Sequence, residues 1–168
     1  MSYADLVALV DAVERASREG RVLAVAEVWG GAEDDLLDLL AGSGIASIRE
    51  GSASYLYSSA CMTREYAGTA ARIAAGDLLR VIAAAVRYDS ETYPRPTSLE
   101  TFEADPYRFS AEQVQAAVEA LSADPEYAEI RTVRASDGSA YLYSSHRLDE
   151  GWALSLAERM SVGRSENP

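Results

Sequence analysis

The chain contains one short segment twice, and this repeat constrains the fold more than any other feature. Residues 55–59 read Tyr-Leu-Tyr-Ser-Ser, and residues 141–145 repeat the same letters. An apolar residue and a helix-capping residue follow each copy at the same distance, as Met62-Thr63 and as Leu148-Asp149. Because the copies share both a strand pattern and a helix start, they predict one structural unit that is used twice.

The first unit is predicted to place three helices before a β-hairpin. Apolar residues at helical spacing predict a first helix, which stops at Gly20. Residues 22–29 are apolar enough to form a buried strand or a short helix, and periodicity does not choose between the two. A helix at residues 32–41 and a hairpin through residues 45–57 follow.

The second unit is predicted to repeat this order. A helix over residues 77–90 ends at the proline-containing link 93–96, and a short helix starts near residue 97. Residues 110–113 read as a capping box that opens the next helix. The dipeptide at residues 137–138, Asp-Gly, is a strong hairpin turn signal. The second unit is therefore predicted to have three helices, a hairpin and a further helix, and the first unit fits this order if residues 22–29 form its middle helix.

Three helices followed by a two-stranded hairpin is the element order of a winged-helix domain, a variant of the helix-turn-helix. We therefore predict a mostly helical α+β fold of tandem winged-helix-like repeats, each with three helices and a β-hairpin, and with a connecting helix. The first repeat and the connecting helix are assigned to residues 1–75, the second repeat to residues 76–162, and a disordered tail to residues 163–168. A generic α+β repeat is the alternative.

The charge of the chain disfavours nucleic-acid binding. The formal net charge is −12, and all 15 basic residues are arginine. In a winged-helix domain the third helix enters a DNA groove, yet the predicted third helices, at residues 33–40 and 111–121, contain no arginine. The first of them carries four carboxylates, which would repel phosphate: Glu33, Asp34, Asp35 and Asp38.

No motif in the chain indicates catalysis, a cofactor or a bound metal, so we expect a non-enzymatic protein. The single cysteine, Cys61, excludes an intrachain disulfide and a cysteine-rich metal site. Its position just before the predicted helix cap Thr63 makes it a candidate redox residue, since a helix N-terminus can activate a thiol. A packed or surface cysteine is the competing interpretation, because the equivalent residue of the second repeat is Arg147.

No apolar run approaches the roughly 18 residues of a membrane span. The first residues also lack the basic and apolar regions of a signal peptide. We therefore expect a cytoplasmic protein without membrane association.

Tyrosines supply the candidate partner-binding residues. In a strand, Tyr55 and Tyr57 point to one face and Leu56 to the other, and Tyr141 and Tyr143 repeat the pattern. If the leucines face the core, each hairpin displays a tyrosine pair to a protein partner. Packing of the tyrosines on neighbouring helices is the alternative.

A second candidate partner-binding region is the link from Asp89 to Arg95, at the end of the helix predicted over residues 77–90. Here Tyr88, Tyr93 and Arg95 surround a stiff pair of prolines. Tyrosine and arginine are the residue types that protein interfaces favour.

Residues 86–97 and the later Tyr-Leu-Tyr-Ser at residues 141–144 resemble a family of uncharacterised bacterial accessory proteins. Members are encoded beside ferredoxin-like proteins and aldehyde:ferredoxin oxidoreductase-type enzymes. The resemblance covers about the second half of the chain and carries no catalytic motif. It implies a role beside a redox enzyme, as a subunit, a maturation factor or a regulator.

Two functions follow as expectations. The first is a protein-interaction or accessory subunit that docks on a larger partner, such as an oxidoreductase subunit. The alternative is a winged-helix transcriptional regulator with an acidic surface, which senses redox state through Cys61.

Overall fold

The computed structural model describes residues 2–166, with side chains through residue 163. The chain divides between Asp77 and Leu78 into two compact units. That division lies two residues after the boundary predicted between residues 75 and 76.

The first unit combines four helices with a three-stranded antiparallel sheet. Its elements are α1 (Tyr3–Arg18), β1 (Leu23–Ala24), α2 (Val25–Val28), α3 (Glu33–Leu39), β2 (Ile45–Glu50), β3 (Ala53–Ser58) and α4 (Arg64–Ala74). The sheet has the order β1-β3-β2, so the central strand β3 pairs with the other two. Residues 22–29, which the sequence left open, form both a short strand and a short helix.

The second unit repeats this arrangement. Its elements are α5 (Leu78–Thr92), β4 (Thr97–Ser98), a 3-10 helix (Leu99–Phe102), α6 (Ala111–Ala123), a second 3-10 helix (Pro125–Tyr127), β5 (Ile130–Arg134), β6 (Ala140–Ser144) and α7 (Glu150–Glu166). The sheet order is β4-β6-β5. Residues 97 and 98, where a short helix was expected to start, form a strand that leads into the first 3-10 helix.

Local sequence signals explain where several elements begin and turn. The hydroxyl of Ser110 accepts a hydrogen bond from the N–H of Gln113, and the Gln113 side chain accepts one from the N–H of Ser110, which is the predicted capping box. Thr63 caps α4 in the same way through the N–H of Tyr66. Gly138, at a φ of 90°, turns the chain between β5 and β6.

The central strand of each sheet is buried on both faces. In the first unit, Leu56 joins a cluster with Val13 and Leu36, from α1 and α3. On the opposite face of β3, Tyr55 and Tyr57 join a cluster that includes residues of α4. The helix that follows each hairpin therefore covers a sheet face that an isolated wing would leave in water.

The α+β class is confirmed. Helix α7 extends to Glu166, so residues 163–166 are helical rather than part of the predicted disordered tail. Residues 167 and 168 of that predicted tail lie outside the described residues. Between residues 2 and 166, no helix is both long and apolar enough to cross a membrane.

Candidate docking surface

The four hairpin tyrosines are buried, so the prediction that they form a partner-binding surface is wrong. Tyr55 and Tyr57 are 6% and 4% exposed, and Tyr141 and Tyr143 are 0% and 2% exposed. The physical reason is that apolar residues occupy both faces of β3 and β6, and a helix covers each face. Packing on neighbouring helices, the alternative interpretation, describes these residues.

Small residues let the covering helices approach the tyrosine rings. Ala67 and Ala71 of α4 are fully buried in one cluster with Tyr55 and Tyr57. Ala153 and Ala157 of α7 hold the same places beside the second tyrosine pair. This close packing could be predicted from the sequence, since alanines spaced four residues apart lie on one helix face.

Burial also affects the chemistry of Tyr143. Removal from water, together with the negative charge of Glu150, raises the pKa of the Tyr143 hydroxyl above its usual value of 10.0. Arg131 partly opposes this shift. The phenol is therefore neutral at physiological pH.

The link after α5 is different, because its tyrosines face solvent. Tyr88 is 58% exposed and Tyr93 is 54% exposed. Their ring centroids lie 5.8 Å apart, and the ring planes meet at 79° in an edge-to-face contact. Two exposed aromatic rings therefore stabilise each other at the end of α5.

Arg95 completes this surface. Its guanidinium carbon lies 4.9 Å from the centroid of the Tyr93 ring, within the range of a cation–π contact. Arg95 also pairs with Asp89 at 3.6 Å, and the hydroxyl of Thr97 donates a 2.9 Å hydrogen bond to the same carboxylate. We call Tyr88, Asp89, Tyr93 and Arg95 the Tyr–Arg cluster.

The hydrogen bond between Tyr88 and Tyr93 raises the pKa of Tyr88 above its usual value of 10.0. Tyr88 therefore stays neutral at physiological pH and keeps its hydroxyl hydrogen for bonding. The sequence predicted the two tyrosines and Arg95 as partner-binding candidates, and the structure brings these three together. The sequence did not predict the ion pair of Asp89 with Arg95, because that contact depends on the reversal of the chain after α5.

Cys61, the candidate redox residue, is a half-buried free thiol in the turn between β3 and α4. Its equivalent in the second unit, Arg147, forms a 2.8 Å ion pair with Glu91.

Across residues 2–166, no group of three or more histidine, cysteine, aspartate or glutamate side chains is arranged to hold a metal ion.

The acidic start of α3 has a structural role at one of its residues. The Glu33 carboxylate accepts a 2.7 Å hydrogen bond from Ser54 and a 3.2 Å hydrogen bond from Arg49, both on the hairpin. The Ser54 bond is the main cause of a lowered pKa at Glu33, and Arg49 adds to it. Glu33 thereby joins α3 to the hairpin, while Asp34, Asp35 and Asp38 are exposed.

Comparison with known proteins places the chain in a family. It is 38% identical over 114 residues to the uncharacterized protein YdhW of Escherichia coli (strain K12). The match covers 68% of this chain and 53% of that protein, so the chain spans about half the length of this relative. No solved structure matches the chain significantly. The family model of the YdhW C-terminal domain matches residues 76–165, and the chain therefore belongs to the YdhW C-terminal domain family.

Proposed function

We propose that this chain is a non-enzymatic accessory protein that docks on a larger protein partner through the Tyr–Arg cluster. The observation that carries the proposal is the fixed arrangement of two half-exposed tyrosines and an arginine. Tyrosine and arginine dominate the binding energy of many protein interfaces. Because Asp89 and the ring contacts already hold these side chains, binding would cost little conformational entropy.

The charge of the chain sets the expected chemistry of the partner. A net charge of −12 attracts a basic surface over several ångströms and speeds the encounter at low ionic strength. Salt screens such attraction within about 10 Å at 0.1 M. The proposed complex therefore weakens as the salt concentration rises.

The proposed partner is an oxidoreductase subunit in the cytoplasm. This part of the proposal rests on the resemblance of residues 86–97 and 141–144 to accessory proteins encoded beside redox enzymes. Residues 86–97 also contain the whole Tyr–Arg cluster, so the resemblance and the exposed surface coincide in the chain.

A winged-helix regulator that binds DNA is the weaker proposal. It is supported by the first unit, in which the three helices α1, α2 and α3 precede the hairpin of β2 and β3. However, α3 begins with Glu33, Asp34 and Asp35, and α6 contains neither arginine nor lysine. A helix with this charge repels the phosphate backbone that it would have to approach.

The proposal is tested by affinity purification of the tagged chain from lysate of its native source, under anaerobic conditions, at low and high salt. Mass spectrometry of the captured proteins is compared for the wild type, Tyr93→Ala and Arg95→Ala. Tyr3→Ala is the matched control, because Tyr3 is an 84% exposed tyrosine outside the Tyr–Arg cluster.

We expect the wild type and Tyr3→Ala to retain an oxidoreductase subunit at low salt and to lose it at high salt. Tyr93→Ala and Arg95→Ala should lose it under both conditions. Retention of the partner by both cluster variants would refute the docking surface. Recovery of transcription proteins alone would favour the regulator, and the redox response of Cys61→Ser would then be measured.

A further inference from the structure

Strand β5 is an outer strand of the second sheet, and part of its backbone faces away from the sheet. It pairs with β6 on one side only. The N–H of Ser145 donates to the carbonyl of Glu129 at 2.8 Å, and the N–H of Ala135 donates to the carbonyl of Ser139 at 2.9 Å. Since antiparallel bonding alternates along a strand, the backbone groups of residues 130, 132 and 134 point outward.

A groove lies beside the first three residues of β5. Its volume is about 380 Å³, and it lies beside the end of α6 and the start of α7. The residues that line it are Ser122, Ala128, Ile130, Arg131, Thr132, Tyr143 and Glu150. Within residues 2–166, no strand pairs with this edge of β5. An extended segment therefore has both space and open hydrogen-bonding groups beside Thr132.

Strand β5 also carries two arginines, in a chain of net charge −12, while Glu150 is the carboxylate that lines the groove. Arg131 and Arg134 are exposed, and neither forms an ion pair with any other described side chain. Because successive side chains of a strand alternate between faces, Arg131 and Arg134 lie on opposite faces of the sheet. Each favours a carboxylate at the position opposite it on a strand that pairs with this edge.

The first unit lacks this exposed cationic edge. In β2, Ala46 occupies the place of Arg131, and Arg49, in the place of Arg134, pairs with Glu33 at 3.2 Å. Most of β2 is half-buried, whereas Arg131 and Thr132 of β5 are exposed. The open cationic edge is therefore a property of the second unit and not of the repeat.

Pairing between two copies of β5 is disfavoured. An antiparallel pair centred on Thr132 would place Arg131 opposite Val133 and Arg134 opposite Ile130 of the other copy, so neither arginine would gain a carboxylate partner. We propose that β5 binds an extended, carboxylate-rich segment of a partner protein as a fourth strand of the sheet. This binding mode uses main-chain hydrogen bonds for affinity and side chains for selectivity, and it does not depend on the Tyr–Arg cluster.

The test uses two fluorescein-labelled peptides of about seven residues, the length of a short strand. One carries glutamate at two positions three residues apart, so that one carboxylate can face each arginine on its own side of the sheet, and the other carries lysine at those positions. The remaining residues are valine, and binding to the full chain is followed by fluorescence anisotropy. Thr132→Pro removes an outward N–H without removing a β5–β6 hydrogen bond, since proline is tolerated on edge strands at such positions. Thr132→Ala is the matched control, because it keeps that N–H.

We expect the glutamate peptide to bind the wild type and Thr132→Ala, and to bind Thr132→Pro at least about tenfold more weakly. Amide exchange at residues 130, 132 and 134 should slow when the peptide is bound. The double variant Arg131→Glu with Arg134→Glu should bind the lysine peptide more tightly than the glutamate peptide. This charge-reversal measurement tests the proposal even if Thr132→Pro does not fold.

Three outcomes would overturn the proposal. One is the absence of binding of the glutamate peptide to the wild type, and another is equal binding to Thr132→Pro when that variant is folded. The third is a wild-type dimer in sedimentation that Thr132→Pro abolishes, which would make a second copy of the chain the occupant of the edge.

Discussion

Ser90 of α5 accepts a 3.1 Å hydrogen bond from the backbone N–H of Ser144, and both residues are buried. The first unit contains the same bond, 2.9 Å long, from the N–H of Ser58 to the hydroxyl of Ser17. The cause lies in the short strands: β4 pairs with Tyr141 and Leu142 and stops before it reaches Ser144. A serine from the first helix of the unit therefore completes the hydrogen bonding of the central strand.

Replacing Ser90 with alanine should destabilise the protein. The buried N–H of Ser144 would lose its acceptor, which costs about 1–3 kcal/mol of unfolding free energy. Ser145→Ala is the control, because Ser145 is exposed, and we expect a change within about 0.5 kcal/mol. Urea denaturation followed by circular dichroism measures both variants. Equal midpoints for the two variants would show that the Ser90 bond contributes nothing to stability.

Buried and exposed tyrosines should respond differently to the same substitution. Tyr57→Ala removes a ring from the cluster with Ala67 and Ala71 and should cost about 3–5 kcal/mol of unfolding free energy. Tyr88→Ala removes an exposed ring and should change stability by less than about 1 kcal/mol. Thermal and urea unfolding test this contrast. The assignment of Tyr57 to the core fails if the two variants are equally stable.

The contact of Glu33 with the hairpin should make stability depend on pH. Its pKa is lowered below the usual value of 4.5 by the hydrogen bond from Ser54 and by Arg49. A lowered pKa in the folded state stabilises the protein above the unfolded pKa, and this stabilisation is lost as the pH falls through the folded value. Glu33→Gln should therefore be less stable than the wild type near pH 7, by about 1 kcal/mol or less.

That difference should shrink toward zero as the pH falls through the folded-state pKa of Glu33, because the wild-type carboxylate then becomes protonated. Glu65→Gln is the control, since it changes the net charge by the same amount at an exposed position. The test is to measure the urea midpoints of the wild type, Glu33→Gln and Glu65→Gln as the pH is lowered from 7. A Glu33→Gln difference that stays constant with pH would contradict the assigned role of the carboxylate.

Local signals in the sequence predicted much of the fold. The turn at Asp137-Gly138, the cap at Thr63 and the capping box at Ser110 each depend on neighbouring residues alone, so they can be recognised without tertiary information. The strands β1 and β4 could not be predicted as strands, because each has only two residues. They are strands because β1 pairs with β3 and β4 pairs with β6, and each partner is distant in the sequence.

The candidate site was predictable only in part. Tyr88, Tyr93 and Arg95 are close in sequence to a stiff link, and that position indicated exposure. Exposure of the hairpin tyrosines was wrongly predicted, because alternation in a strand separates two faces without showing what covers each. In β3 and β6 both faces are covered, which Ala67 and Ala153 of the following helices could have indicated.

The most direct test of the proposed function is photo-crosslinking in the native source of the protein. Tyr88 is replaced with the photo-reactive residue p-benzoylphenylalanine, and the same residue at Tyr3 is the control, since Tyr3 is exposed outside the Tyr–Arg cluster. We predict that position 88 forms a covalent adduct with one partner protein, that Arg95→Ala abolishes it, and that position 3 forms none. An equal adduct from position 3, or none from position 88 while the chain still copurifies with its partner, would contradict docking through the Tyr–Arg cluster.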